Sequence, residues 1–179
     1  ESFFQKIRGL PVSPLILPKM MKSLRDPDVT VDDIESVLKL DMSIAAQVLK
    51  LSNSSYFSFG KPSSDLKEAI ARIGMEETYK LVSAMVGMEF VSTIAPKDGL
   101  DPAAVWESSV AAAVCMELLS GHCQEDSVIA YPVGLFHNLG LIIVSQMAGR
   151  DYLKVFEEVH TNKVSFIDAE SDIIGFSHI

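Results

Sequence analysis

The stretch Gly134-Leu135-Phe136-His137-Asn138-Leu139-Gly140 sets an imidazole beside an amide inside an otherwise apolar segment. A histidine there could ligate a divalent metal or carry a proton, and metal-assisted chemistry also needs anionic ligands around it. Asn138 offers only a neutral carbonyl oxygen, a poor partner for a hard dication and no base. His122, His160 and His178 are scattered, with no HxxxH or HxxE spacing to bring two ligands onto one helical face. No metal site or cofactor is expected, and His137 reads as a core histidine hydrogen-bonded to a neighbour.

Other catalytic chemistry is equally thin. Ser54, Ser55, Ser108 and Ser109 lack a nucleophile elbow. Cys115 is expected mid-helix on a buried face, as a small apolar filler. Gly9, Gly60, Gly74 and Gly140 are isolated, so no phosphate-cradling loop exists and glycine reads as punctuation. No catalytic residue is assigned. Asn53, Ser54, Ser55, Tyr56 and Phe57 form a candidate interaction surface, since aromatics beside amides and hydroxyls suit recognition. The plainer expectation is that Asn53 and the serines satisfy helix-end backbone groups while the rings plug the core.

The elements that must position these residues are helical, with apolar residues recurring at three and four rather than alternating at two. Phe3, Phe4, Ile7 and Leu10 suggest a short opening helix. The next should run from Pro14 to about Leu24 and bury Leu15, Leu17, Met20, Met21 and Leu24, with Pro18 able to shift its start. Thr30 and Asp41 read as N-caps of two short helices, carrying Ile34, Val37 and Leu38, then Ile44, Ala45, Val48, Leu49 and Leu51. Asp65 opens a helix that Gly74 ends, and a longer one spans about Glu76 to Thr93. Asp101-Pro102 starts a helix through Trp106 to Gly121. The segment from Val128 to Met147 is apolar nearly all round, a central helix or a helix pair, and Asp151 and Ser165 are expected to cap two more. The fold class is all-α, a multi-helix bundle.

A chain of 179 residues with 48% hydrophobic and 22% charged residues has the composition of a folded globular domain. A net charge of −9 and a pI near 4.8 argue against a nucleic-acid partner. The early cluster Lys6, Arg8, Lys19, Lys22 and Arg25 is offset at once by Asp26, Asp28, Asp32 and Asp33. Apolar runs broken by Asn138, Gly140 or Ser145 give no expected membrane span. Cys115 and Cys123 lack CxxC spacing, so a reducing cytoplasm is the expected compartment. Opening at Glu1 without methionine and stopping after His178-Ile179, the chain reads as part of a longer one.

Several signals occur in an order that resembles the HDOD domain family, metal-free relatives of the HD phosphohydrolases. They are Leu10-Pro11-Val12-Ser13-Pro14, Asp26-Pro27, Asp41 with Ala45-Ala46 to Leu51, Asn53-Ser54-Ser55-Tyr56, Glu68-Ala69-Ile70 with Ile73-Gly74, Trp106 with Ser109, and Gly134 to Gly140. The resemblance implies a single HDOD-like domain over 1–179 with lobes near 1–97 and 98–179. Its core helices would be HD-like. Where the HD hydrolases have His-Asp, this chain has His137-Asn138, and Ser108 stands at the expected upstream His: a vestigial metal position. Glu170, Gly175 and His178 resemble the start of the family's later Glu…Gly…His stretch, so the domain looks truncated at its C-terminus. The implied function is a non-catalytic bacterial signal-transduction or protein-interaction domain with protein partners. The alternatives are a degenerate metal-dependent phosphohydrolase and a nucleotide-sensing module.

Overall fold

Local caps set the helix boundaries. A computed structural model describes residues 15–57, 60–92 and 100–179, and these form ten α-helices with no strand among them. The protein is all-α. The opening helix expected around Phe3 to Leu10 lies outside the described residues. The chain divides into two compact units, Glu1–Val86 and Gly87–Ile179, and the division falls inside a helix, α5, where the sequence suggested lobes meeting near 97 and 98.

The first unit holds α1 (Ile16–Leu24), α2 (Val31–Leu38), α3 (Met42–Ser52), α4 (Leu66–Ile73) and the start of α5 (Met75–Ser92). Thr30 opens α2 through a capping box: its backbone N–H and hydroxyl both donate to the Asp33 carboxylate, at 2.9 and 2.5 Å. Asp41 accepts from the Ser43 and Ile44 N–H groups, and Asp65 from that of Lys67. Each supplies an acceptor to a helix-start donor that has no intrahelical partner. Gly74 ends α4 at φ 97°, a conformation that costs glycine nothing. The core of this unit holds Met20, Ile34, Leu38, Ile44, Val48, Ile70, Val82 and Val86. Leu15, expected inside, is 72% exposed, since α1 begins at Ile16, two residues after Pro14, and Ile16 is buried instead. Leu17, Met21, Leu24 and Val37 are half-buried.

The second unit contains the end of α5 with α6 (Pro102–Cys123), α7 (Ser127–Phe136), α8 (Leu139–Ala148), α9 (Asp151–Asn162) and α10 (Phe166–Ile173). Asp101 caps α6 with Pro102 at its first turn. The apolar segment after Val128 is a helix pair, broken at His137-Asn138. Asp151 does not cap α9. It lies in the first turn, paired with Lys154 at 2.7 Å, whereas Ser165 does cap α10 by accepting from Asp168 N–H. The core groups Val91, Leu100, Val105, Ile142, Val144, Tyr152, Val155 and Ala169, with Trp106 and Phe166 half-buried against it.

Cys115 is exposed, because α6 is apolar on every side and the face packed on its neighbours carries Val105, Ser109 and Ala113. By length and composition, Pro102–Cys123 and Ser127–Ala148 also reach what a membrane span needs, contrary to the expectation from interrupted runs. The second of these is broken at His137-Asn138.

Candidate functional site

The break between α7 and α8 positions His137 and Asn138. The His137 ring Nδ1 lies 2.7 Å from the Gly134 carbonyl oxygen. A carbonyl can only accept, so Nδ1 carries the proton and satisfies one of the carbonyls that a helix end leaves without a partner. His137 is hydrogen-bonded as expected, but it is exposed rather than part of the core.

Asn138 occupies the N-cap position of α8, where an asparagine side chain ordinarily accepts from its own helix. Here it makes no such bond. Its Nδ2 reaches α6 and donates to Ser108 Oγ at 2.8 Å and Ser109 Oγ at 3.2 Å. Ser108 in turn donates to the Val105 carbonyl at 3.0 Å, which commits its hydroxyl hydrogen and leaves the oxygen to accept. The two positions that depart from a metal-binding pattern therefore satisfy each other.

Glycines permit this closeness. A Cβ on Gly134 would lie 2.6 Å from the Ala112 carbonyl oxygen and 2.7 Å from Ala113 Cα, so only glycine lets α7 approach α6 this closely. A Cβ on Gly140 would collide with the His178 carbonyl oxygen. Gly140 is thus a packing residue inside α8 and not punctuation. Behind Asn138 and Ser109, a cavity bounded by Gly87, Trp106, Leu135 and Ile142 holds about 10 Å³, room for about one water.

The divalent metal of the HD hydrolases does not fit these side chains. A dication needs acceptor oxygens or imidazole lone pairs, whereas Asn138 presents its N–H₂ face to Ser108 and Ser109. Among the described residues, no group of three His, Cys, Asp or Glu stands close enough to hold a metal.

A second polar cluster joins Glu170 and His178, which the sequence offered only through the resemblance, to Tyr152, which it did not single out. Glu170 is fully buried, and its carboxylate accepts from the Tyr152 hydroxyl at 2.5 Å, the His178 N–H at 3.0 Å and His178 Nδ1 at 2.5 Å. Burial alone would raise the Glu170 pKa. The hydrogen bonds from Tyr152 and His178 and the charge of His178 outweigh it and hold the carboxyl below its usual value. Burial, together with the Glu170 carboxylate, drives the Tyr152 phenol well above its usual value. The legible signal was a carboxylate next to Ala169 on the apolar side of α10.

On the first unit, Asn53 closes the loop after α3. Its Nδ2 donates to the Leu49 carbonyl at 3.1 Å and the Ser63 carbonyl at 2.7 Å, and its Oδ1 accepts from Ser63 N–H at 2.7 Å. Asn53 thus meets the plainer expectation. Tyr56 does not, since the residue is 85% exposed and its ring stacks edge-on with Phe57 at 4.8 Å. The rest of the proposed surface is mixed: Ser54 and Phe57 are half-buried and Ser55 is exposed.

A family profile for the HDOD domain matches residues 10–179. The chain belongs to the HDOD family. The crystal structure of an HDOD domain protein of unknown function from Geobacter sulfurreducens is similar over 98% of this chain and 59% of its own, at 25% identity and a TM-score of 0.73. A Shewanella amazonensis protein provisionally assigned as a phosphohydrolase has the same fold over 98% of this chain and 61% of its own, at 21% identity and a TM-score of 0.67. So does a Marinobacter aquaeolei protein provisionally assigned to signal transduction, over 99% of this chain and 40% of its own, at 19% identity and a TM-score of 0.69. An uncharacterized Treponema pallidum protein is 26% identical over 87% of this chain and 30% of its own length. This HDOD chain therefore spans under two thirds of the length of each of these relatives.

Proposed function

We propose that this HDOD domain is a non-catalytic module of bacterial cytoplasmic signal transduction that works by binding protein partners, with no resident metal or cofactor. The supporting observation is the Asn138 amide donating to Ser108 and Ser109, where a hydrolase needs anionic acceptors. With both serines engaged and room for only about one water beside Asn138 and Ser109, the vestigial site is an internal tie between α6 and α8. The exposed Tyr56 offers an aromatic contact for a partner.

Elemental analysis of protein purified without chelator or affinity metal tests this reading. The expected result is divalent metal near zero per chain, unchanged in His137→Ala. A stoichiometric metal lost on that substitution, with chelator-sensitive phosphoester hydrolysis, would refute it. A saturable rise in melting temperature on adding nucleotides would favour the nucleotide-sensing alternative.

A further inference from the structure

The outward side of α6 is apolar where a helix of a folded domain ordinarily turns charge to water. Ala111, Val114, Cys115, Leu118 and Leu119 are all exposed, with Val114 at 44%, Leu119 at 59% and Leu118 at 66%. Their spacing of three and four puts them on one stripe. Glu107 and Glu117 are the only charged residues of this helix of 22. Glu107 lies one turn before the stripe, and the exposed Glu125 and Asp126 follow its other end.

Charge indicates what covers the stripe. Residues 1–86 carry 11 Lys and Arg against 11 Asp and Glu, whereas residues 87–179 carry 4 against 13, so the whole net charge of −9 resides in the second unit. No Lys or Arg occurs between Lys97 and Arg150. A second copy docked through the same face would set one strongly acidic unit against another. An anionic lipid surface meets the same repulsion.

Resting on the protein-interaction reading above, we infer that the exposed face of α6 is the docking site for a cationic amphipathic helix of a partner protein. That helix would lay leucine-like residues at i, i+3, i+4 and i+7 along Val114, Cys115, Leu118 and Leu119, with Lys or Arg near each end to meet Glu107 and Glu125-Asp126. From Glu107 to Glu125 is roughly 27 Å at 1.5 Å per residue, so about five turns of partner helix span both acidic ends.

The test uses the full 179-residue chain carrying Cys123→Ser, which leaves Cys115 as the single thiol. The probe is a synthetic helical peptide of about 18 residues, leucine on one face and lysine on the other, with a control in which glutamate replaces every lysine. The lysine peptide should slow maleimide labelling of Cys115 while the glutamate peptide leaves it unchanged. Leu118→Glu should weaken peptide binding by about tenfold, as expected for losing one buried leucine contact, and added salt should weaken it further. Trp106 fluorescence melting checks that this surface variant stays folded. Equal protection by both peptides, or none by either, would overturn the inference. So would a wild-type dimer in sedimentation that Leu118→Glu dissolves, which would identify a second copy, or protection by phosphatidylcholine vesicles alone, which would identify a membrane. A metal-dependent activity would defeat the underlying reading separately, since peptide protection does not depend on it.

Discussion

Replacing Glu170 with glutamine removes one charge from a buried polar cluster of the second unit and leaves the shape nearly unchanged. The carboxylate accepts three hydrogen bonds, from the Tyr152 hydroxyl and from the backbone and ring of His178. In its best orientation, glutamine keeps its oxygen toward His178, and the Tyr152 hydroxyl turns to accept from the new amide. All three contacts then lose their charge-assisted character. Hydrogen bonds to a charged group contribute about 1.5–3 kcal/mol each against about 1 for neutral ones, so over three contacts the variant should lose about 1.5–6 kcal/mol. For a chain of this size that is a fall in melting temperature on the order of 10 °C. Trp106 is the only tryptophan and lies against this unit's core, so its fluorescence reports unfolding of this unit. The pH dependence supplies a second check. Glu170 is held below its usual value of 4.5 in the fold, so its stabilisation is complete above the usual carboxylate range and is lost as pH falls through the lower folded value. The difference between wild type and Glu170→Gln should shrink as pH falls through that range. A melting change under about 2 °C at neutral pH, or a difference independent of pH, would refute the account of Glu170 as a working carboxylate.

Two further predictions separate packing from capping. Gly134→Ala should destabilise by about 3 kcal/mol or more, because its Cβ would meet α6 backbone that cannot move aside. Gly121→Ala, in open space on the same α6, should stabilise by about 0.8 kcal/mol on helix propensity alone, and thermal melts distinguish the two. Asn53→Ala removes all three bonds that tie Ser63 and Leu49 together and should cost about 2–3 kcal/mol. It should also speed protease cleavage between residues 53 and 63, read by limited digestion.

Asp41, Asp65, Asp101 and Ser165 were legible because a cap acts on donors only two or three residues away. Asp151 misled because Arg150, not Asp151, stands at the helix boundary, and its carboxylate pairs with Lys154 instead. That Ser108 and Asn138 carry no anionic group was also legible, since it rests on side-chain type alone.

What the amino-acid order determined by itself was the all-helical class, most helix boundaries and the absence of an anionic ligand beside His137, each a matter of residue type at short separation. Only tertiary structure decided that Asn138 reaches Ser108 across 30 positions, that Glu170 collects Tyr152 and His178, and that Gly134 and Gly140 exist for close approach. The same holds for α6. Being apolar all round, it carries no periodic signal of which side faces the core, and only packing against its neighbours left Leu118 and Cys115 in water.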